Sequence, residues 1–147
     1  MNQVVSFDLH DTILVFNLGG ELIKKNFFSI IFHFLSNFKV FIFIYTFLCK
    51  RNEPVIELME QLKAEGNKVI ILTYTHKKCA KIIDYFLKKN DVSCYDEVIF
   101  REEFWQEECV YKIEKIRKHN ISLHYDNSAE VCAEINKIKN NSCIVVK

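Results

Sequence analysis

Five short runs of β-branched and aromatic residues, alternating with segments of helical spacing, constrain this 147-residue chain more than any other feature. The runs are 3–7, 68–72, 97–100, 121–125 and 143–146. Between the first two, Val55, Leu58, Met59 and Leu62 recur at helical spacing up to Gly66, with Asn52 as a cap and Pro54 in the first turn. Ala80, Ile83, Phe86 and Leu87 predict a second helix over 77–89, and further helices are expected over 104–119 and 129–139. Strands alternating with helices predict an α/β fold, a doubly wound Rossmann-like parallel sheet with helices on both faces. Such a sheet binds ligands along the edge formed by the C-terminal ends of its strands. Asp8, Thr73 and Asp126 each fall at one of those ends, which places two carboxylates and a hydroxyl along one edge.

The composition sets the outer bounds. With 50% hydrophobic residues and 13 Phe, the chain has ample material for a core and is expected to form one domain over 1–147. The formal net charge of +1 supplies no field toward nucleic acid, so a nucleic-acid partner is not expected from charge. None of the six cysteines forms a Cys-x-x-Cys pair or a zinc-ligand spacing. The chain opens on a strand-like run rather than a leader, so reduced cysteines in a cytoplasmic protein are the expectation.

Residues 17–52 interrupt the alternation. Within them, 27–49 is rich in Phe and Ile and approaches a membrane span in length and apolarity. A crossing there would put Asp8 and Thr73 on opposite sides of a bilayer. Ser29, His33, Ser36 and Asn37 also form a polar stripe at helical spacing. The segment is therefore expected to be a helical insertion that packs on the core, covers the site as a small cap, or pairs two chains through 27–49; peripheral membrane contact is a weaker alternative.

The motifs along the predicted strand ends resemble those of the haloacid dehalogenase superfamily of phosphohydrolases. Asp8, Leu9, His10, Asp11 and Thr12 follow its first motif, Asp-x-Asp-x-Thr, except at the third position; the strand ending in Thr73 matches its second. A lysine on the helix before the fourth strand, Lys112 or Lys115, matches the third. Asp126, Asn127 and Glu130 match the fourth, although Tyr125 stands where the family has a glycine. Taken singly, each of these has a bland reading: a turn, a strand-end hydroxyl, solvated helix lysines and a helix cap.

The resemblance implies a Mg²⁺-dependent phosphomonoester hydrolase acting on a small phosphorylated molecule through an aspartyl-phosphate. Asp8 would be the nucleophile, and the Asp8 carboxylate, the His10 main-chain carbonyl and the Asp126 carboxylate would hold the ion. Thr73 and Lys112 would bind phosphoryl oxygens, with Lys112 favoured over Lys115 because it lies nearer the helix N-terminus. Thr12, Asn127 and Glu130 would support the site. His10 replaces the family's acid/base aspartate and, as a group that titrates near neutrality, is expected to take over its role. The rival readings are a catalytically weak binding or regulatory protein, suggested by His10 and Tyr125, and a nucleic-acid-end phosphatase, suggested by Lys77, Lys78 and Lys81.

Overall fold

The computed structural model describes residues 3–16, 39–138 and 142–146. Its strands are β1 (Val4–Phe7), β2 (Leu14–Phe16), β3 (Cys49–Arg51), β4 (Lys68–His76), β5 (Glu97–Arg101), β6 (Leu123–Asp126) and β7 (Cys143–Val145). Its helices are α1 (Lys39–Phe47), α2 (Glu53–Ala64), α3 (Ala80–Lys89), α4 (Glu108–Lys118) and α5 (Ala129–Ile138), with a 3-10 turn at Lys77–Cys79.

Five strands form a parallel sheet in the order β5-β4-β1-β6-β7. β1 lies at its centre, pairing Phe7 with Ile71 of β4 on one side and with Tyr125 of β6 on the other. Both faces of the sheet are covered, as parallel sheets require. On β4, Val69 and Ile71 join the core under α1, α2 and α3, while Ile70, Leu72 and Tyr74 join the core under α4 and α5. Burying side chains such as Phe7, Ile71 and Met59, none of them solvent-exposed, contributes about 1.5–3 kcal/mol each. The doubly wound parallel sheet read from the alternation is the fold observed.

Several local expectations change. β4 runs three residues beyond Thr73, to His76, and its register against β5 shifts between Leu72 and His76. The helix expected from 104 starts at Glu108 instead. Its would-be first turn is held as a loop: the Arg101 guanidinium donates to the Phe104 carbonyl at 3.0 Å, and the Tyr74 hydroxyl donates to that of Gln106.

The expected helical insertion over 17–52 is described only from residue 39, and its polar stripe lies outside the described residues. The described part is a helix followed by a strand. β3 pairs antiparallel with β2, Leu14 opposite Arg51 and Phe16 opposite Cys49. Among the described residues, no helix is long and apolar enough to cross a membrane. Of the stretch 27–49, α1 exposes Val40, Phe43, Ile44 and Phe47 while Ile42 and Tyr45 are buried.

The expectation that all the cysteines are reduced is also corrected. Cys132 of α5 and Cys143 of β7 form a disulfide across 5.0 Å between Cα atoms, because helix and strand pack together there; Cys49, Cys79, Cys94 and Cys109 are free thiols.

Candidate active site

The centre of the sheet delivers two aspartates to one edge. Asp8 follows β1 directly, and its backbone N–H continues the ladder by donating to the Tyr125 carbonyl at 2.8 Å. Asp126 ends β6. Between the two carboxylates sits the ammonium of Lys112, which reaches over from the first turns of α4. Its Nζ lies 2.9 Å from Asp8 Oδ1, 2.7 Å from Asp126 Oδ2 and 2.7 Å from Oε1 of Glu108, one turn earlier on the same helix. Lys115 points elsewhere, its ammonium 5.8 Å from the centre of the Tyr111 ring. Sequence favoured Lys112 for its place near the helix N-terminus, and packing of α4 against the sheet brings Lys112 to the carboxylates.

Asp126 is held from three directions. Its Oδ1 accepts the Ser128 backbone N–H at 2.8 Å, so the start of α5 orients it. Its Oδ2, besides meeting Lys112, lies 3.1 Å from His124 Nε2, and His124 Nδ1 lies 2.8 Å from Ser6 Oγ. Ser6 and His124 face each other across the β1–β6 pair and are fully buried. Neither residue carries a sequence signal, since a serine and a histidine inside strands read as ordinary core polars.

His10 lies in a different set of contacts. Its Nδ1 is 3.5 Å from the Thr75 hydroxyl and its Nε2 is 3.5 Å from the Thr46 hydroxyl on α1. Thr75 in turn accepts a hydrogen bond from the Thr73 hydroxyl at 3.1 Å. Thr73 therefore reaches His10 through Thr75, which sequence reading missed although the Thr73 and Thr75 spacing puts both on one strand face. Thr12 is buried; its carbonyl accepts from the Asn52 side chain at 3.0 Å, and its hydroxyl has no hydrogen-bond partner among the described residues. Asn127 is half-buried beside Asp126, and Glu130 is exposed on the first turn of α5, where it does not join the cluster. The orienting of Asp126 comes from Ser128 and His124. Tyr125 stacks flat on Phe7 with ring centres 4.5 Å apart and packs the core. His76 accepts the Lys78 N–H and starts the 3-10 turn.

Three carboxyl groups surround one ammonium. Burial pushes the Asp8 carboxyl up to about 8, with Asp126 and Glu108 adding to the rise and Lys112 opposing it. Burial also acts against ionised Asp126, but Lys112 and the His124 hydrogen bond hold its carboxyl well below the usual range. The carboxylates outweigh the burial of Lys112 and keep it charged. Burial, reinforced by Lys112, holds the His10 imidazole down to about 3, so it is neutral over the ordinary pH range.

Asp8 and Asp126 offer hard-oxygen donors of the kind a magnesium ion takes, and with Asp8 deprotonated they would leave a negative charge that a divalent cation would neutralise. No three His, Cys, Asp or Glu side chains cluster as metal ligands among the described residues; the expected set has only two side chains, its third donor being a backbone carbonyl.

No known family model matches the chain, and neither does any curated protein. Solved structures do resemble it. A chain of the Pnkp1/Rnl/Hen1 complex superposes with a TM-score of 0.72 at 18% identity, covering 99% of this chain and 46% of its own length. A second structure, of the Pnkp1/Rnl/Hen1 RNA repair complex, gives the same TM-score and identity, with 42% of that chain covered. A haloacid dehalogenase superfamily hydrolase from Ehrlichia chaffeensis matches at a TM-score of 0.55 and 13% identity, covering 100% of this chain and 88% of that one. At these identities the likeness is one of fold, and the chain spans less than half of the repair-complex chains it resembles.

Proposed function

We propose that the chain is a phosphomonoester hydrolase in which Asp8 is the nucleophile. The observation that carries this reading is the Lys112 ammonium, gathered with Asp8 and Asp126 at the edge where β1 and β6 end. A carboxylate attacking a phosphate ester needs positive charge beside it, since both reactants are anionic. Lys112 supplies one such charge in a desolvated place. Asp8, the His10 carbonyl and Asp126 would hold Mg²⁺, which when bound supplies the remaining charge neutralisation.

In the first half of the reaction, an Asp8 oxygen attacks phosphorus and the ester oxygen leaves. Lys112 stabilises the charge on the transferring oxygens, and Thr73 places its hydroxyl beside Thr75 on the same edge. In the second half, water attacks phosphorus of the aspartyl-phosphate and Asp8 is released. His10, neutral and flanked by Thr46 and Thr75, can accept a proton from that water. It has no proton to spare for the leaving oxygen at neutral pH beyond the one its tautomer carries. Esters with good leaving groups are therefore the favoured substrates.

The test is hydrolysis of an aryl phosphate by wild type and Asp8→Asn, with Mg²⁺ and with chelator. Metal-dependent turnover that disappears in a folded Asp8→Asn is the expected result. Equal turnover by the variant would remove Asp8 from its role, and a folded, phosphate-binding wild type without turnover would favour the binding protein.

A second reading, removal of phosphate from a nucleic-acid end, is supported by one feature of the edge. Trp105, 80% exposed, lies with Phe104 in the loop before α4, and the Lys78 ammonium is 5.7 Å from the centre of the Phe104 ring. An exposed aromatic pair beside lysines is a surface on which a base can stack. The similarity to chains of an RNA repair complex is in keeping with it.

A further inference from the structure

We propose that His124, steadied by Ser6, is a positioning residue that leaves Asp126 one oxygen, Oδ1, for a cation, and so favours Mg²⁺ over Ca²⁺. The inference rests on the metal-assisted reading above and deepens it. It gives a role to two polar residues that the hydrolysis steps do not use. Ser6 and His124 are completely buried and face each other across the β1–β6 pair. A polar pair inside a sheet carries a desolvation cost that two apolar residues would not.

The contacts fix which group donates. Paired with the Lys112 ammonium, the Asp126 carboxylate is an acceptor only. His124 Nε2, 3.1 Å from Asp126 Oδ2, is therefore the ring nitrogen that carries a proton toward it. Nδ1 then accepts from the Ser6 hydroxyl at 2.8 Å, which holds the imidazole in the tautomer and orientation that donate to Asp126. The bonds run from β1 through the ring to the end of β6, and the ring cannot turn without losing both of them.

An ionised carboxylate has about four acceptor positions, two on each oxygen. Oδ2 of Asp126 meets Lys112 at 2.7 Å and His124 at 3.1 Å, which fills it. Oδ1 accepts the Ser128 backbone N–H at 2.8 Å, and among the described residues its second position is not taken. A cation on Asp126 then meets a single oxygen. Mg²⁺ is suited to that, since it keeps several waters and takes carboxylates in a tight octahedral set. Ca²⁺ is larger, takes about six to eight oxygens, and accepts both oxygens of one carboxylate. Lys112 by itself would leave Oδ2 half open. Without the His124 donor, the carboxylate could turn about its terminal torsion and present both oxygens.

The experiment is calorimetric titration of the full chain with Mg²⁺ and with Ca²⁺, for wild type, Asp126→Asn, His124→Gln and the double variant Ser6→Ala/His124→Leu. The double variant replaces both polar partners by apolar ones and orphans neither. Its affinity for Ca²⁺ relative to Mg²⁺ is expected to rise about tenfold. His124→Gln keeps a donor at the ε position and is expected to retain the wild-type ratio. A pair that only stabilised the fold would change both affinities alike. An unchanged ratio in the folded double variant, with wild-type binding lost in Asp126→Asn, overturns the inference and leaves the metal site standing. A ratio that shifts as far in His124→Gln also overturns it, because the donor would not be what matters. Absence of Mg²⁺ binding in wild type, or binding that Asp126→Asn does not weaken, overturns the inference and the metal site together. Should the double variant not fold, Ser6→Ala withdraws the hydroxyl that holds the tautomer. Its ratio is expected to rise in the same direction, and failure to do so counts against the inference equally.

Discussion

His10 and Asp8 lie two residues apart, yet burial moves them in opposite directions relative to stability. Unfolded, an imidazole takes up its proton near pH 6.5; folded, His10 resists it down to about 3. The unfolded state then binds more protons, so stability is full above pH 6.5 and falls toward pH 3, by up to about 1.4 kcal/mol per unit. Asp8 has the reverse sign. Its folded value is raised from 3.8 to about 8, so the folded state retains a proton the unfolded state has lost, and stability falls as pH rises between those values. In chelator, urea unfolding of Asp8→Asn should gain on wild type steadily from pH 4 to 8, while His10→Gln should lose the acid-side decline. Parallel pH curves for all three proteins would refute the assigned burial effects. On the proposed mechanism the same neutral imidazole limits proton donation: His10→Asp, introducing a carboxyl that can give its proton to a leaving oxygen, should raise turnover of alkyl phosphates more than of aryl phosphates. An equal effect on both would mean that position 10 does not act on the leaving group.

The β2–β3 hairpin, with α1 beside it, closes the turn that carries the first motif. Asp11 sits in the left-handed region at φ 61°, and the Tyr45 hydroxyl on α1 donates to its carboxylate, 3.1 Å from each oxygen. Asn52, just past β3, donates its backbone N–H to Ile13 O at 2.8 Å and its side-chain amide to Thr12 O at 3.0 Å. Sequence spacing marks Asn52 as the cap of α2; its side chain makes no cap bond and instead ties the hairpin to the turn. Asn52→Ala should cost about 0.5–1.5 kcal/mol by urea unfolding, from one lost hydrogen bond. If the turn depends on this clamp, kcat should fall by more than the small fraction of extra unfolded protein explains; an unchanged kcat would show that the main-chain bond suffices. The hairpin itself is hard to read from sequence because no short turn joins its strands, and each three-residue strand is too short to show a period.

At the scale of the molecule, the proposed site lies along the sheet edge, and the loop before α4 follows the end of β5 on that edge. Arg101 and Tyr74 pin that loop by its carbonyls, so Phe104 and Trp105 are carried on a fixed backbone, with Lys77 paired to Glu102 at 2.9 Å. Glu103 and Glu107 are exposed in the same loop, which limits attraction of a phosphate backbone and makes stacking the main contribution available there. If the chain acts on nucleic-acid ends, Trp105→Ala should raise the KM for a 3′- or 5′-phosphorylated oligonucleotide roughly tenfold, in line with about 1–3 kcal/mol per stacked base. Hydrolysis of a small aryl phosphate should be unaffected. Equal effects on both substrates, or none on the oligonucleotide, would count against that reading.

Local chemistry was enough to locate the five strands of the parallel sheet and to put Asp8 and Asp126 at the ends of two of them, because a buried parallel strand leaves a continuous apolar run in the chain; Thr73 lies inside β4, which continues to His76. It also placed Lys112 and Lys115 on the helix before β6. Position near the helix N-terminus favoured Lys112, and α4 packing on the sheet brings Lys112 to Asp8 while the Lys115 ammonium lies over the Tyr111 ring. Tertiary structure alone brought Ser6 and His124 to Asp126, Thr75 to His10 and Glu108 to Lys112. It also decided the charge state of His10. Burial and the fields of groups distant in sequence set these properties, and both exist only once the elements have packed.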